Sequence, residues 1–163
     1  MSKKSEQKAK SITNLIDKLR ARKQSVGFGE SCTGGLLSAT LSAIPGVSDI
    51  FMGSIVSYAN QVKMDLLGVS ASALKTEGAV SKEVARQMAQ GVRKQLKCDW
   101  SIAITGVAGP TGGTKEKPVG TVWFAVSGPK FEATEKKMFS GSRTEIQQRA
   151  VEFAIEMLLR EMD

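Results

Sequence analysis

The stretch Trp100–Val107, WSIAITGV, is apolar or small throughout and carries no charge. It shows no polar alternation, so if extended it reads as a strand buried on both faces. Such a strand needs a layer of helix above it and another below, which points the chain toward an α/β sandwich. The flanking segments supply those layers. Ile12, Leu15, Ile16 and Leu19 recur at helical spacing between Ser5 and Lys23, and SVGFGE is a short strand. TGGLLSATLSAI is a helix ended by Pro45 and Gly46, FMGSIVSYA a second strand, and NQVKMDLLG a helix that stops at Gly68. Ser81 caps a further helix, striped by Val84, Met88, Val92 and Leu96.

After the buried run comes AGPTGGTKEKPVG, a loop by its Gly, Pro and Lys content. TVWFAVSG and KFEATEKKMFSG then read as a hairpin whose second strand alternates like an exposed edge. A capping box from Ser142 to Glu145 opens the last helix, striped by Ile146, Ala150, Phe153, Ala154, Met157 and Leu158. This order predicts a three-layer α/β/α sandwich. Its mixed, mainly parallel sheet has about five strands, one of them antiparallel. The expectation is a single domain over residues 1–163.

The chain contains no histidine, and its two cysteines, Cys32 and Cys98, lie in no metal-type spacing. Neither a metal site nor a cofactor is expected. The charged opening MSKKSEQKAK is not followed by a signal-type apolar core, and no run approaches the length of a membrane span. A cytoplasmic protein with no membrane partner is expected. A net charge of +7 favours anionic partners, but the basic residues are scattered and only 6% of residues are aromatic. Nucleic acid is therefore not expected as a partner.

Ligands of open α/β sheets bind beyond the carboxyl ends of the parallel strands. Three segments fall there: GESCTGG after the first strand, SYANQVK after the second and TGVAGPTGG after the third. In the first, Ser31 stands at a strand-to-helix turn. The amides of Cys32, Thr33, Gly34 and Gly35 are expected to form a free helix end able to hold an oxyanion or phosphate. Equally, Ser31 or Thr33 can simply cap the helix. Cys32 is the other possible nucleophile, or a small buried side chain.

With no histidine, a proton acceptor for Ser31 has to be a lysine, a carboxylate or a tyrosinate. Lys63 and Tyr58, the only tyrosine, fall in the second segment. At an ordinary pKa near 10.4, only about one lysine in 2,500 is neutral at pH 7, so a lysine base has to be desolvated. The competing reading makes Lys63 a solvated helix residue and Tyr58 part of the core. In the third segment, glycine amides together with Arg143 can clamp a phosphate and ribose, or Arg143 can be a solvated first-turn residue.

GESCTGG, GSIVSYANQVKMDLLGV, GAVS, ITGVAGPTGGTKEKPVGTVWFAV and FSGSR together resemble the CinA C-terminal domain family. Its active members are stand-alone, PncC-like nicotinamide-nucleotide amidohydrolases. The resemblance implies hydrolysis of the carboxamide of nicotinamide mononucleotide to nicotinate mononucleotide and ammonia, in pyridine nucleotide salvage, by a metal-free Ser/Lys mechanism. It puts the nucleophile on Ser31, its lysine on Lys63 and an assisting tyrosine on Tyr58. Thr105, Gly106, Ala108, Gly109 and Arg143 fall where substrate is held, and a homodimer is implied. The alternative is a nucleotide-binding or regulatory paralogue without turnover.

Overall fold

The structure is a computed structural model. It describes the backbone of residues 3–163 and side chains from residue 10 onward. Most of the lysine-rich opening therefore lies outside the described side chains.

The chain runs α1 (Lys3–Ala21), β1 (Val26–Glu30), α2 (Leu36–Ser42), a 3-10 turn (Val47–Asp49), β2 (Phe51–Val56), α3 (Asn60–Leu67), α4 (Ala71–Thr76), α5 (Lys82–Leu96), β3 (Trp100–Gly106), β4 (Thr121–Gly128), β5 (Phe131–Met138) and α6 (Arg143–Glu161). The five strands form one sheet in the order β2-β1-β3-β4-β5. Strands β2, β1 and β3 are parallel, while β4 pairs antiparallel with both β3 and β5. Only β4 thus runs against the others, as the hairpin reading required. The short α4 was not anticipated; Ser70 caps it by accepting from the Ala73 amide, in a stretch with too few apolar residues to show a helical period.

Strand β3 is buried along almost its whole length, but its two faces differ. Trp100, Ile102 and Ile104 join a core cluster with residues of α1, α2 and α6, including Leu15, Leu19, Leu37 and Met157. The opposite face presents Ser101, Ala103 and Thr105, and Ala103 packs with Val84, Ala85, Met88, Ala89 and Val92 of α5. Small residues there let α5 approach the sheet closely. Ser101 Oγ is satisfied by donating to the Ala89 carbonyl at 2.7 Å. Strand β1 follows the same rule. Phe28 packs toward the first cluster, while a Cβ at Gly27 or Gly29 would lie 2.8 Å from Leu96 or 2.9 Å from Val92. Full burial of each large side chain, such as Leu19 or Met88, contributes about 1.5–3 kcal/mol.

Helix α5 comes close to α3 at Gly91, where an added Cβ would lie 2.0 Å from the Leu67 carbonyl oxygen at the end of α3. A Gly-to-Ala change inside an open helix gains about 1 kcal/mol. Here the overlap is with backbone, so relief requires moving a helix, and overpacking of that kind costs about 1–3 kcal/mol. Gly91→Ala is therefore expected to lower the midpoint of chemical denaturation, and a raised midpoint would contradict this packing.

Candidate active site

Strands β1 and β2 end level with one another, since Glu30 pairs with Val56, while β3 runs two residues past Ile104, the partner of Glu30 on the other side. The chain leaves β1 toward opposite neighbours, β2 and β3, which opens a crevice at their carboxyl ends. A cavity of about 350 Å³ occupies that position. Ser31, Tyr58, Lys63 and Thr105, drawn from the three segments singled out in the sequence, all reach it, as does Arg143 from the start of α6.

Lys63 lies on the inner face of α3 and is 1% exposed. Its Nζ is 3.0 Å from Ser31 Oγ and donates to the main-chain oxygens of Ser57, at 2.6 Å, and Tyr58, at 3.4 Å. Among the described residues it has no carboxylate partner. Removal from water lowers its pKa below the ordinary lysine value. A neutral amine has two N–H donors and one lone pair. In that neutral form the two carbonyls would take the donors and leave the lone pair for the Ser31 hydroxyl, whereas the ammonium donates to Ser31 Oγ as well. The solvated-lysine reading does not hold.

Cys32 lines the same cavity, but burial pushes its thiol pKa up to about 12. At neutral pH it is a protonated thiol and a poor nucleophile. Its carbonyl accepts from Gln147 Nε2 at 2.8 Å, so α6 grips the turn that carries Ser31. Gln147 has no mark in the sequence beyond its place in a helix.

The expected free helix end is corrected by the geometry. Gly34 and Gly35 adopt left-handed backbone, φ +59° and +104°, so α2 starts only at Leu36. The Glu30 carboxylate, fully buried, fills the helix end. Its Oε2 accepts from Thr33 Oγ1 at 2.8 Å, the Gly35 amide at 3.1 Å and the Leu37 amide at 3.0 Å. Its Oε1 accepts from the Ser38 amide at 2.9 Å and Ser54 Oγ at 3.1 Å. The Gly34 amide donates to the Ser31 carbonyl at 3.1 Å. Thr33, Gly34 and Gly35 do not line the cavity: Thr33 Oγ1 and the Gly35 amide donate to Glu30, and the Gly34 amide to the Ser31 carbonyl. Cys32, by contrast, does line it.

Thr105, Gly106, Ala108 and Gly109 line the cavity as expected, with Thr111 and Gly112 of the same loop and Asn60 of the second segment; Ala79 and Val80, to which sequence reasoning gave no role, join them. Thr105 Oγ1 donates to the Ala79 carbonyl at 2.8 Å, tying the end of β3 to the segment before α5. Arg143, the first residue of α6, donates to the Gly109 carbonyl and to the Tyr58 hydroxyl, each at 2.8 Å. Tyr58 is 60% exposed, so it is not a core residue. Its hydroxyl is engaged at the Arg143 side of the cavity, and only its carbonyl meets Lys63.

Burial of Lys63 has a thermodynamic signature. Its native pKa is lowered, so between that value and the unfolded pKa near 10.4 the unfolded chain binds more protons than the native one. Stability relative to Lys63→Met is expected to rise with pH through this window, and to be lost as pH falls toward the native pKa. Chemical denaturation of both proteins at several pH values checks it, and a difference independent of pH would contradict the burial.

Comparison with known proteins agrees with this architecture. Residues 8–162 match the CinA C-terminal domain. A CinA-like protein of Prochlorococcus marinus (strain MIT 9515) is 49% identical over 88% of this chain, and the chain spans about a third of the length of such curated relatives. The competence/damage inducible protein CihA of Agrobacterium tumefaciens superposes with a TM-score of 0.92 at 36% identity, covering 94% of each chain. A CinA superfamily protein of Escherichia coli gives 0.87 at 37% identity, covering 91% of this chain and 89% of its own. The chain belongs to the CinA C-terminal domain family.

Proposed function

We propose that this chain is a serine–lysine amidohydrolase that converts nicotinamide mononucleotide to nicotinate mononucleotide and ammonia. The observation that carries the reading is the 3.0 Å contact between Ser31 Oγ and a buried Lys63 amine that has no counter-ion among the described residues. The family to which the chain belongs contains amidohydrolases.

In this reading Ser31 Oγ attacks the carboxamide carbon while the lone pair of Lys63 takes its proton. The resulting oxyanion is stabilised by main-chain N–H groups facing the cavity; the Cys32 amide, next to the nucleophile, is the candidate, because those of Gly34 and Gly35 are already used. The ammonium of Lys63 returns its proton to the leaving nitrogen, the C–N bond breaks, and ammonia departs. Water, deprotonated by Lys63, then cleaves the acyl ester and restores Ser31.

Arg143 and the loop from Thr105 to Gly112 hold the phosphate and ribose, so binding energy remote from the amide positions it. Both described guanidinium bonds of Arg143 go to neutral acceptors, which leaves its charge available to a phosphate. With its hydroxyl beside Arg143, Tyr58 assists from the substrate-binding side of the cavity. The chain acts as a homodimer in the cytoplasm and needs no cofactor.

Purified protein is expected to release ammonia from nicotinamide mononucleotide. Ser31→Ala and Lys63→Ala should each lower kcat by at least about 10³-fold, as for loss of an activated nucleophile or its base. Arg143→Ala should mainly raise KM. Wild-type turnover by the Lys63 variant would exclude the dyad, and binding of the mononucleotide without ammonia release would favour a regulatory paralogue.

A further inference from the structure

We propose that Glu30 is a positioning residue that fixes both members of the Ser31–Lys63 pair through one buried carboxylate and one carbonyl. This rests on the reading of Ser31 as nucleophile, but not on the identity of the substrate.

Glu30 is the last residue of β1, immediately before Ser31, and has no exposed surface. Its five accepted hydrogen bonds come from α2 and its preceding turn and, through Ser54, from β2. A helix is ordinarily capped by the side chain of its own N-cap residue, but that position here is Gly35, which has none. The cap is instead supplied from the sheet, five residues earlier. The reach from Glu30 to Gly35 closes a ring around the turn that contains Ser31. Within the ring the Gly34 amide donates to the Ser31 carbonyl, and the Ser31 amide donates outward to Ile104 of β3 at 3.0 Å. Both sides of the nucleophile are thereby pinned.

The other half of the device is main chain. The Glu30 carbonyl accepts from the Ser57 amide at 2.7 Å, and the Ser57 carbonyl in turn accepts from Lys63 Nζ at 2.6 Å. One residue thus sets the nucleophile turn with its side chain and the acceptor that orients the lysine with its backbone. Displacement of either reacting atom by about 1 Å can cost about a hundredfold in rate.

Glu30→Gln tests the side-chain half while keeping its shape. An amide –NH₂ at the Oε1 position would face the Ser38 amide, and at the Oε2 position those of Gly35 and Leu37. Either orientation opposes donor to donor, so the turn has to shift. Two readouts are taken: the rate at which a fluorophosphonate probe labels Ser31, and kcat and KM for ammonia release from nicotinamide mononucleotide. The expected result, in protein with wild-type circular dichroism, is a fall of at least about thirtyfold in labelling rate and kcat, with KM within about threefold. A folded variant of lowered Tm that labels and turns over at the wild-type rate would make Glu30 a structural cap and overturn the proposal. If Glu30→Gln does not fold, Ser54→Ala and Thr33→Val each remove one donor while retaining the carboxylate. Both should slow labelling by about three- to tenfold, and wild-type labelling in both overturns the proposal. Wild-type protein that labels at Ser31 without releasing ammonia refutes the substrate but leaves the labelling comparison decisive. Wild-type protein that does neither refutes both.

Discussion

A primary amine held out of water with no counter-ion is unfavourable in its charged form, and the site is arranged around keeping that condition. Each unit of pKa lowered corresponds to about 1.4 kcal/mol by which surroundings disfavour the ammonium. A single carboxylate hydrogen-bonded to Lys63 would reverse the effect. The nearest acid in sequence to the nucleophile, Glu30, directs all five of its hydrogen bonds to α2, its turn and Ser54, and none to Lys63. Negative charge is thereby kept on the helix end, where amides stabilise it. Among the described residues the amine meets only neutral carbonyls and one hydroxyl.

That arrangement depends on the difference between the two faces of the sheet. On the α1/α2/α6 side the strands present Phe28, Ile102, Ile104 and Phe124, which fill a thick core. On the α5 side they present Gly27, Gly29, Ala103 and Ala125, and the helix comes near enough to touch backbone. Close packing of α5 against α3 at Gly91 then helps hold the helix that buries Lys63 over the crevice. The same closeness lets Thr105 bond the Ala79 carbonyl, so that the segment entering α5 becomes a wall of the cavity. Residues chosen for packing on one face therefore shape the site at its end.

Most of this architecture was legible because burial leaves a pattern. The unbroken apolar run of β3, the stripe of α5 and the capping box of α6 each have one physical explanation, and each formed where expected. The pairing of Ser31 with Lys63 was less legible, since a lysine near a helix start is ordinarily solvated and nothing local marks it as buried. The absence of histidine narrowed the choice of base, and the family motifs selected Lys63. The role of the glycines was misread for a definable reason. Gly34 and Gly35 do leave a helix end without a side-chain cap, but whether an acid elsewhere fills it depends on where the preceding strand aims its last side chain. Gln147 reaches the site through tertiary folding alone and leaves no local signal.

The two cations of the cavity show how one principle serves different ends. Neither Lys63 nor Arg143 has an ion-pair partner among the described residues, yet burial separates their behaviour. Lys63 is 1% exposed, and desolvation drives it toward the neutral form that can accept a proton. Arg143 lies at the exposed start of α6, where a guanidinium keeps its charge and its fork is braced by Gly109 and Tyr58. A ligand with an anion at one end and a neutral, polarisable amide at the other matches both. A charge-neutral amide without the anion would leave the Arg143 end unused, while a carboxylate at the serine would instead pair with Lys63 and raise its pKa. In the proposed reaction such pairing would favour the ammonium and remove the base, so the polarity of the cavity would set which end of a ligand meets Ser31.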